Sequence, residues 1–234
     1  MNIPLSKRLQ ACAEQVLPGN RVADIGCDHG YLSIYLLTKG IASSVIAADI
    51  NKMPLQSAVR NAEKFGVQDN ISFYLSDGVK NIPRDFDVMI CAGMGADTMI
   101  SILEAAPWLK CEKYQLILQC QSKLPSLRKF LSDNNYHIQR ETVFRDGRFL
   151  YTVISAQWDP AARPLTQGQV YFPLALLTDP TPELPEYYQS TLFRLRRAIS
   201  GQGENASPAM CEALKELENN PDLSWLKEKH DDNC

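Results

Sequence analysis

The sequence contains no uninterrupted apolar run approaching the roughly 20 residues that a helix needs to cross a bilayer. Residues 1–8 carry basic side chains, but the apolar core of a secretory signal does not follow them. We therefore predict a cytoplasmic protein that makes no contact with a membrane.

Cysteine usage gives no sign of a disulfide framework or of a zinc site. The chain has 7 cysteines, an odd number, with no Cys-x-x-Cys pair and no histidine at ligand spacing. Such usage is typical of reduced thiols in the cytoplasm. No bound metal is expected.

The chain also lacks a large excess of charge of either sign. The 24 basic and 27 acidic residues give a net charge of −3, which exerts no general attraction on nucleic acid. Any contact with RNA must therefore come from local basic patches. The 45% of hydrophobic residues, with 9 Tyr, 8 Phe and 3 Trp, exclude a disordered chain. The length of 234 residues suits one domain of about 150 residues with a smaller appendage.

Short β-branched runs alternate with stretches of helical spacing in the first two thirds of the chain. An amphipathic helix is predicted first, over 5–17. The predicted strands then cover 22–25, 44–50, 71–75, 87–92 and 115–119, and the helices between and after them cover 31–38, 54–65, 97–106 and 125–134. This alternation is typical of a doubly wound α/β fold with crossover helices.

A hairpin and a helical tail follow. Strand-like runs at 137–143 and 149–156 flank a segment with the turn dipeptide Asp-Gly. An antiparallel hairpin at the edge of a parallel sheet distinguishes methyltransferase-type sheets from simple dinucleotide-binding ones. Helical segments at 184–200 and 208–218 come later. We predict a sheet domain over 1–158 and a helical, coiled-coil-like hairpin extension over 159–234.

The turn after the first predicted strand carries the most specific signal. Gly26 and Gly30 permit a tight turn and a close approach of a ligand or helix. Asp28 stands where a dinucleotide site has its second glycine beside the pyrophosphate. A carboxylate there repels a diphosphate and can accept a hydrogen bond from an ammonium group. The turn therefore favours S-adenosylmethionine, which has an adenosine and no phosphate.

Further acidic residues end the next two strands. Asp49 is placed to bind both ribose hydroxyls, and Asp77 with Gly78 to bind the adenine amine. Asp24 and Ile50 complete this part of the predicted cofactor set. The alternative is that each aspartate caps a helix or turn. Acids at three consecutive strand ends favour the cofactor site.

The fourth and fifth strands end in residues that we assign to the meeting point of cofactor and substrate. Gly93 lies beside Met94 in a Gly-Met-Gly segment, so the backbone on either side of Met94 carries no side chain. A tight turn that needs glycine is a compatible interpretation. Gln119 either binds an adenine edge, since amides pair well with adenine, or ends a strand.

Together these motifs resemble the bacterial TrmK family of tRNA (adenine-N1)-methyltransferases, which modify adenosine 22. The resemblance rests on Asp-Ile-Gly-Cys-Asp-His-Gly-Tyr at 24–31 and Ala-Gly-Met-Gly at 92–95, with shorter matches at 5–9, 116–119 and 141–148. It implies a Rossmann-like class I methyltransferase fold with a seven-stranded sheet, S-adenosylmethionine as donor, tRNA as substrate and a C-terminal helical hairpin that helps to hold the tRNA.

One departure from the family pattern keeps other functions open. The family usually has Gln-Pro-Asn where this chain has Gln119, Cys120 and Gln121. The alternatives are a methyltransferase for a protein or small molecule, and a module that binds S-adenosylmethionine or RNA without turnover.

The catalytic candidates are Asp28, His29 and Tyr31. Adenine N1 already has a lone pair, so a base is needed only later, to take a proton from the exocyclic amine of the methylated cation. Asp28 is the preferred partner, with His29 or Tyr31 positioning the base. His29 could instead bond the turn backbone, and Tyr31 could be a core aromatic residue.

Basic clusters are the candidate RNA contacts. Arg194, Arg196 and Arg197 in the tail are predicted to bind phosphate, although a solvated helix face explains them equally well. The weaker candidates are Lys123, Arg128, Lys129, Arg145 and Arg148. A monomer or weak dimer is expected.

Overall fold

The computed structural model describes residue 3 and residues 5–227. Its strands are β1 (Asn20–Ile25), β2 (Ala42–Asp49), β3 (Ile71–Leu75), β4 (Val88–Met94), β5 (Gln115–Cys120), β6 (Tyr136–Asp146) and β7 (Phe149–Trp158). They form one sheet in the order β3-β2-β1-β4-β5-β7-β6, with five parallel strands and the antiparallel pair β6 and β7 at one side. The predicted seven-stranded Rossmann-like fold is confirmed.

Helices cover both faces of the sheet and form the tail. They are α1 (Lys7–Ala13), α2 (Tyr31–Thr38), α3 (Lys52–Phe65), α4 (Ala96–Glu104), α5 (Leu124–Asp133), α6 (Gln167–Tyr171), α7 (Leu184–Gln202) and α8 (Pro208–Asn219). Helix α1 is shorter than predicted, beginning after Ser6, whose hydroxyl accepts the Leu9 N–H, and ending before Glu14. Helix α6 was not predicted; Thr166 and Gln169 form its capping box.

The hairpin turn is tighter than the sequence indicated. Strand pairing continues to Asp146 and Phe149, so only Gly147 and Arg148 form the loop. Gly147 has φ of +59°, the conformation that two-residue hairpin loops require and glycine adopts readily.

Three apolar clusters stabilise the fold. Two lie among the sheet and its covering helices. The third lies under the tail and combines Val143 of β6 with buried residues of α7, including Tyr188. Helix α8 packs against both α6 and α7. The tail is therefore joined to the sheet through a shared apolar interior.

A buried ion pair of the sheet domain also donates hydrogen bonds to the tail. Arg128 of α5 is fully buried and donates to Glu141 of β6, with its Nη2 at 2.6 Å from Oε1. It also donates to the Tyr171 carbonyl at 2.6 Å and to the Tyr187 hydroxyl at 3.0 Å. Arg128 was predicted as a phosphate contact, and this is wrong because its guanidinium is enclosed by protein groups.

In the described part of the chain, membrane-spanning helices, metal-ligand clusters and disulfides are all absent. Within it, no helix is long and apolar enough to cross a bilayer. Among the same residues, no three side chains of His, Cys, Asp or Glu are grouped as metal ligands. The six cysteines described, all but Cys234, are free thiols.

Candidate active site

The turn between β1 and α2 is built from residues with positive φ. Gly26, Asp28 and Gly30 have φ of +75°, +50° and +74°. The N–H groups of Gly26 and Cys27 both donate to the Ala48 carbonyl, at 2.8 and 3.0 Å, which anchors the turn on β2. A Cβ on Gly30 would lie 2.9 Å from the Cβ of Ala58, so this glycine admits helix α3.

Gly26 faces the end of β4, because a Cβ on it would clash with the Met94 methyl. We expect Gly26→Ala to push Met94 aside, put a methyl group into the predicted cofactor site and weaken cofactor binding about tenfold (about 1.4 kcal/mol). Gly40→Ala is the matched control, since Gly40 has φ of +65° but open space around it. Gly40→Ala should have the same cost in unfolding free energy, about 1 kcal/mol from the positive φ, and should leave the affinity for the cofactor unchanged. Calorimetry on both variants checks this, and equal affinities would contradict it.

Asp49 joins the turn after β1 to the turn after β2. Its Oδ2 accepts the Asp28 N–H at 3.0 Å, and its Oδ1 accepts the Asn51 N–H at 2.7 Å. Asp49 is buried, yet each carboxylate oxygen can accept a further hydrogen bond. Both predicted roles, turn cap and ribose ligand, are therefore compatible.

Asp24 lies beneath the turn. It is buried and accepts the Ser33 hydroxyl at 2.6 Å. Burial raises the pKa of its carboxyl to about 6, although the bond from Ser33 opposes this shift and Asp49 adds to it. A second carboxylate thus lines the same cavity as Asp28, and burial disfavours its ionised form.

This raised pKa gives a pH-dependent prediction for the protein without cofactor. The Asp24 penalty is absent below about pH 4, grows up to pH 6 and is constant above it, because only the ionised form is disfavoured. Asp24→Asn should therefore gain about 3 kcal/mol relative to wild type between pH 4 and pH 7. Denaturant unfolding at both pH values checks this. Asp69→Asn on the surface is the control. If the unfolding free energy of Asp24→Asn differs from that of wild type by the same amount at both pH values, the prediction is contradicted.

Strand β4 ends in a bulge that explains Gly93 and Gln119. The register with β5 jumps from Ala92 to Met94, and Gly93 has φ of +79°. The Gly93 N–H donates to the Gln119 side-chain oxygen at 3.2 Å. Gln119 is fully buried, and its amide nitrogen donates to the Cys120 carbonyl at 3.4 Å. Its carboxamide therefore links the bulge of β4 to the end of β5.

These elements enclose a cavity of about 330 Å³ at the carboxyl edge of the sheet. The predicted residues that line it are Asp24, Gly26, Asp28, Gly93, Met94 and Gln119. Ser6, Arg8 and Gln121 also line it and were not predicted. Arg8 belongs to α1, pairs with Asp146 at 3.2 Å and has its guanidinium 5.5 Å from the centre of the Tyr151 ring. The sequence signals at Arg8 were an amphipathic helix and the family match at 5–9, and neither assigned this residue to the site.

The remaining predicted cofactor residues lie outside this cavity, along the same edge. Asp49 and Leu75 are register partners at the ends of β2 and β3. Ile50 is 62% exposed and offers an apolar surface beside Asp49. Asp77 follows β3, is exposed and pairs with Lys80, and Gly78 has φ of +60° where a Cβ would meet Ile102.

The catalytic candidates lie close together in the turn after β1 and at the start of α2, and Asp28 is the one of the three that lines the cavity. His29 Nε2 is 3.6 Å from Asp28 Oδ1, and both side chains are at least half exposed. The rings of His29 and Tyr31 are 6.2 Å apart. Tyr31 also packs against the apolar cluster around α2.

The tail arginines have three different environments. Arg196 pairs with Glu218 of α8 at 2.7 Å, and Arg197 is exposed. Arg194 lines a second, larger cavity of about 560 Å³ between the sheet domain and the tail. Gln121 lines both cavities, so they adjoin at this residue.

Sequence comparison supports the interpretation of the fold and of the protein class. The family model described as a methyltransferase domain matches residues 5–154. The tRNA (adenine(22)-N(1))-methyltransferase of Bacillus subtilis is 36% identical over 156 residues, which are 66% of this chain and 66% of that protein. The match therefore covers just under two thirds of that relative.

Two solved structures match over almost the whole chain. The Bacillus subtilis tRNA methyltransferase TrmK is 29% identical with a TM-score of 0.76, covering 97% of this chain and 99% of that chain. A Streptococcus pneumoniae protein in complex with S-adenosyl-L-methionine is 27% identical with a TM-score of 0.76, covering 92% and 98%. The chain belongs to the methyltransferase-domain family and, within it, to the TrmK family.

Proposed function

We propose that this protein is an S-adenosylmethionine-dependent methyltransferase that modifies N1 of adenosine 22 in tRNA. The observation that carries the proposal is the acid-lined cavity at the carboxyl edge of the parallel strands, where ligands of such sheets bind. The names of the matched relatives supply the substrate. We also propose that the protein acts in the cytoplasm, as a monomer or weak dimer.

The charged side chains of the cavity fit the amino-acid end of the cofactor. Asp24 and Asp28 offer carboxylates to its ammonium group, and Arg8 offers a guanidinium to its carboxylate. A diphosphate would meet the two aspartates instead. Asp49 would hold the ribose, with Ile50 and Asp77 beside the adenine. The turn glycines keep the space free of side chains, since a Cβ on Gly26 would meet Met94.

When bound, S-adenosylmethionine supplies a methyl group carried by a positively charged sulfur. The protein contributes mainly alignment, because transfer needs the attacking nitrogen in line with the methyl group and the sulfur. The bare backbone at Gly93 lets the base approach the cavity. Asp28 then accepts a proton from the exocyclic amine of the methylated base, and His29 at 3.6 Å passes it to solvent.

Cys27 does not compete for the methyl group. Burial, with the nearby charges of Asp24, Asp49 and Asp28, raises the pKa of its thiol. The thiol therefore stays protonated at neutral pH and is a poor nucleophile.

The test is methyl transfer to tRNA that lacks the modification. The protein is incubated with labelled S-adenosylmethionine and unmodified tRNA, and nuclease digestion with mass spectrometry locates the product. We expect 1-methyladenosine at position 22. No incorporation at any adenosine by folded, cofactor-bound protein would overturn the proposal.

A further inference from the structure

The cavity between the sheet domain and the tail differs in charge from the cofactor cavity. The residues that line it include Lys123, Arg128 and Arg194 but no acidic side chain. Lys123 and Arg128 already have carboxylate partners, Asp97 and Glu141. Arg194 donates to the Thr191 hydroxyl and forms no ion pair with an acidic side chain of residues 5–203 or 205–227. A basic cavity therefore adjoins an acidic one, which suits a polyanionic substrate next to a cationic cofactor.

The walls of this larger cavity suit an unstacked base. Phe149, Tyr151, Tyr171 and Tyr187 contribute aromatic surface, and Phe149 is 53% exposed. Aromatic faces stack on nucleobases without regard to sequence. The volume of about 560 Å³ falls within the range of about 300–1,000 Å³ found for small-molecule sites.

Two polar groups of the cavity have no hydrogen-bond partner among the residues that the structure describes. The first is the Thr152 hydroxyl, which is buried. The carboxamide of Gln121 makes no hydrogen bond with any described residue, although its main-chain N–H donates to the Met94 carbonyl. Buried polar groups are normally paired, so the Thr152 hydroxyl retains hydrogen-bonding capacity beside the cavity, and the exposed Gln121 carboxamide is available to a ligand.

Gln121 is better placed than Gln119 to contact a base. Gln119 is buried and holds the Gly93 N–H, whereas Gln121 is exposed and lines both cavities. Its amide nitrogen lies over the bulge, because a Cβ on Gly93 would come within 3.4 Å of it. A glutamine side chain can pair with the edge of adenine through one donor and one acceptor.

We propose that the larger cavity receives the unstacked target adenosine of the RNA and that Gln121 is the specificity-determining residue that binds its base edge. This inference rests on the proposed function. Phe149 and Tyr151 supply the stacking wall, Arg194 binds a neighbouring phosphate, and the base reaches the cofactor cavity past Gln121.

The first measurement is methylation of tRNA by variants of Gln121. Gln121→Ala should lower kcat/KM about tenfold or more while S-adenosylmethionine affinity stays within about twofold. Gln121→Asn should recover part of the loss. Phe149→Ala should also lose about tenfold through lost stacking. Gln68→Ala, an exposed glutamine outside both cavities, is the control and should match wild type.

The second measurement separates base contact from a structural effect. Affinity for tRNA is measured with S-adenosylhomocysteine present, with adenosine or purine riboside, which lacks the exocyclic amine, at the methylated position. Purine riboside should weaken binding to wild type about tenfold and leave binding to Gln121→Ala unchanged. Equal penalties in both proteins, or wild-type kcat/KM in Gln121→Ala, would overturn the inference while the proposed function stands. No methylation by wild type would withdraw both.

Discussion

Glu141→Gln is expected to cost about 3–5 kcal/mol of unfolding free energy, because it leaves the Arg128 guanidinium buried without its counterion. Both side chains of this pair are essentially inaccessible to solvent. For a chain of this size the melting temperature should fall by about 10 °C or more. Thermal and denaturant unfolding measure the loss.

The matched control is Glu186→Gln, which removes the exposed partner of Arg145 in an ion pair between the sheet domain and the tail. Exposed pairs contribute about 0–1 kcal/mol, so this change should be small. The double variant Arg128→Met with Glu141→Leu should recover much of the stability, since no charge is left unpaired. A loss in Glu141→Gln no larger than that in Glu186→Gln would contradict this account.

Asp49→Ala is expected to weaken binding of S-adenosylmethionine about 100-fold, or about 3 kcal/mol. Two charge-assisted hydrogen bonds to ribose would be lost, each contributing about 1.5–3 kcal/mol. The N–H groups of Asp28 and Asn51 would also lose their acceptor, so the turns would be less ordered.

Titration calorimetry on the folded variant checks this prediction. Asp133→Ala is the control, since Asp133 is exposed on α5 and pairs with Lys129. If Asp49 only caps the turns, the variant loses stability but keeps its affinity for the cofactor. That result would refute its assignment as the ribose ligand.

The sequence predicted the sheet well because strands and crossover helices have strong periodic signals. All five parallel strands and the hairpin were found within a few residues of their bounds. The predicted β4 stopped at residue 92, before the bulge at Gly93, because the bulge depends on the neighbouring strand. Helix α6, with five residues, is too short to show helical periodicity.

The site was only partly predictable. Residues at strand ends share an edge once the fold is known, and this is why Asp24, Gly26 and Asp28 could be grouped from the sequence. The contribution of Arg8 depends on how α1 packs over the sheet, and the role of Gln121 depends on where the tail lies. Arg128 was misassigned because its partner Glu141 is on another element.

The position of β6 at the end of the sheet bears on how the protein can be shortened. The segment Leu174–Leu177 lies against this outermost strand, and Asp179 just beyond it pairs with Arg140. Removing everything after Trp158 would bare the strand's unpaired main-chain groups and uncover Val143. We therefore expect such a truncated protein to self-associate through the exposed edge of β6. Its solubility has to be verified before any loss of RNA affinity is attributed to the missing arginines.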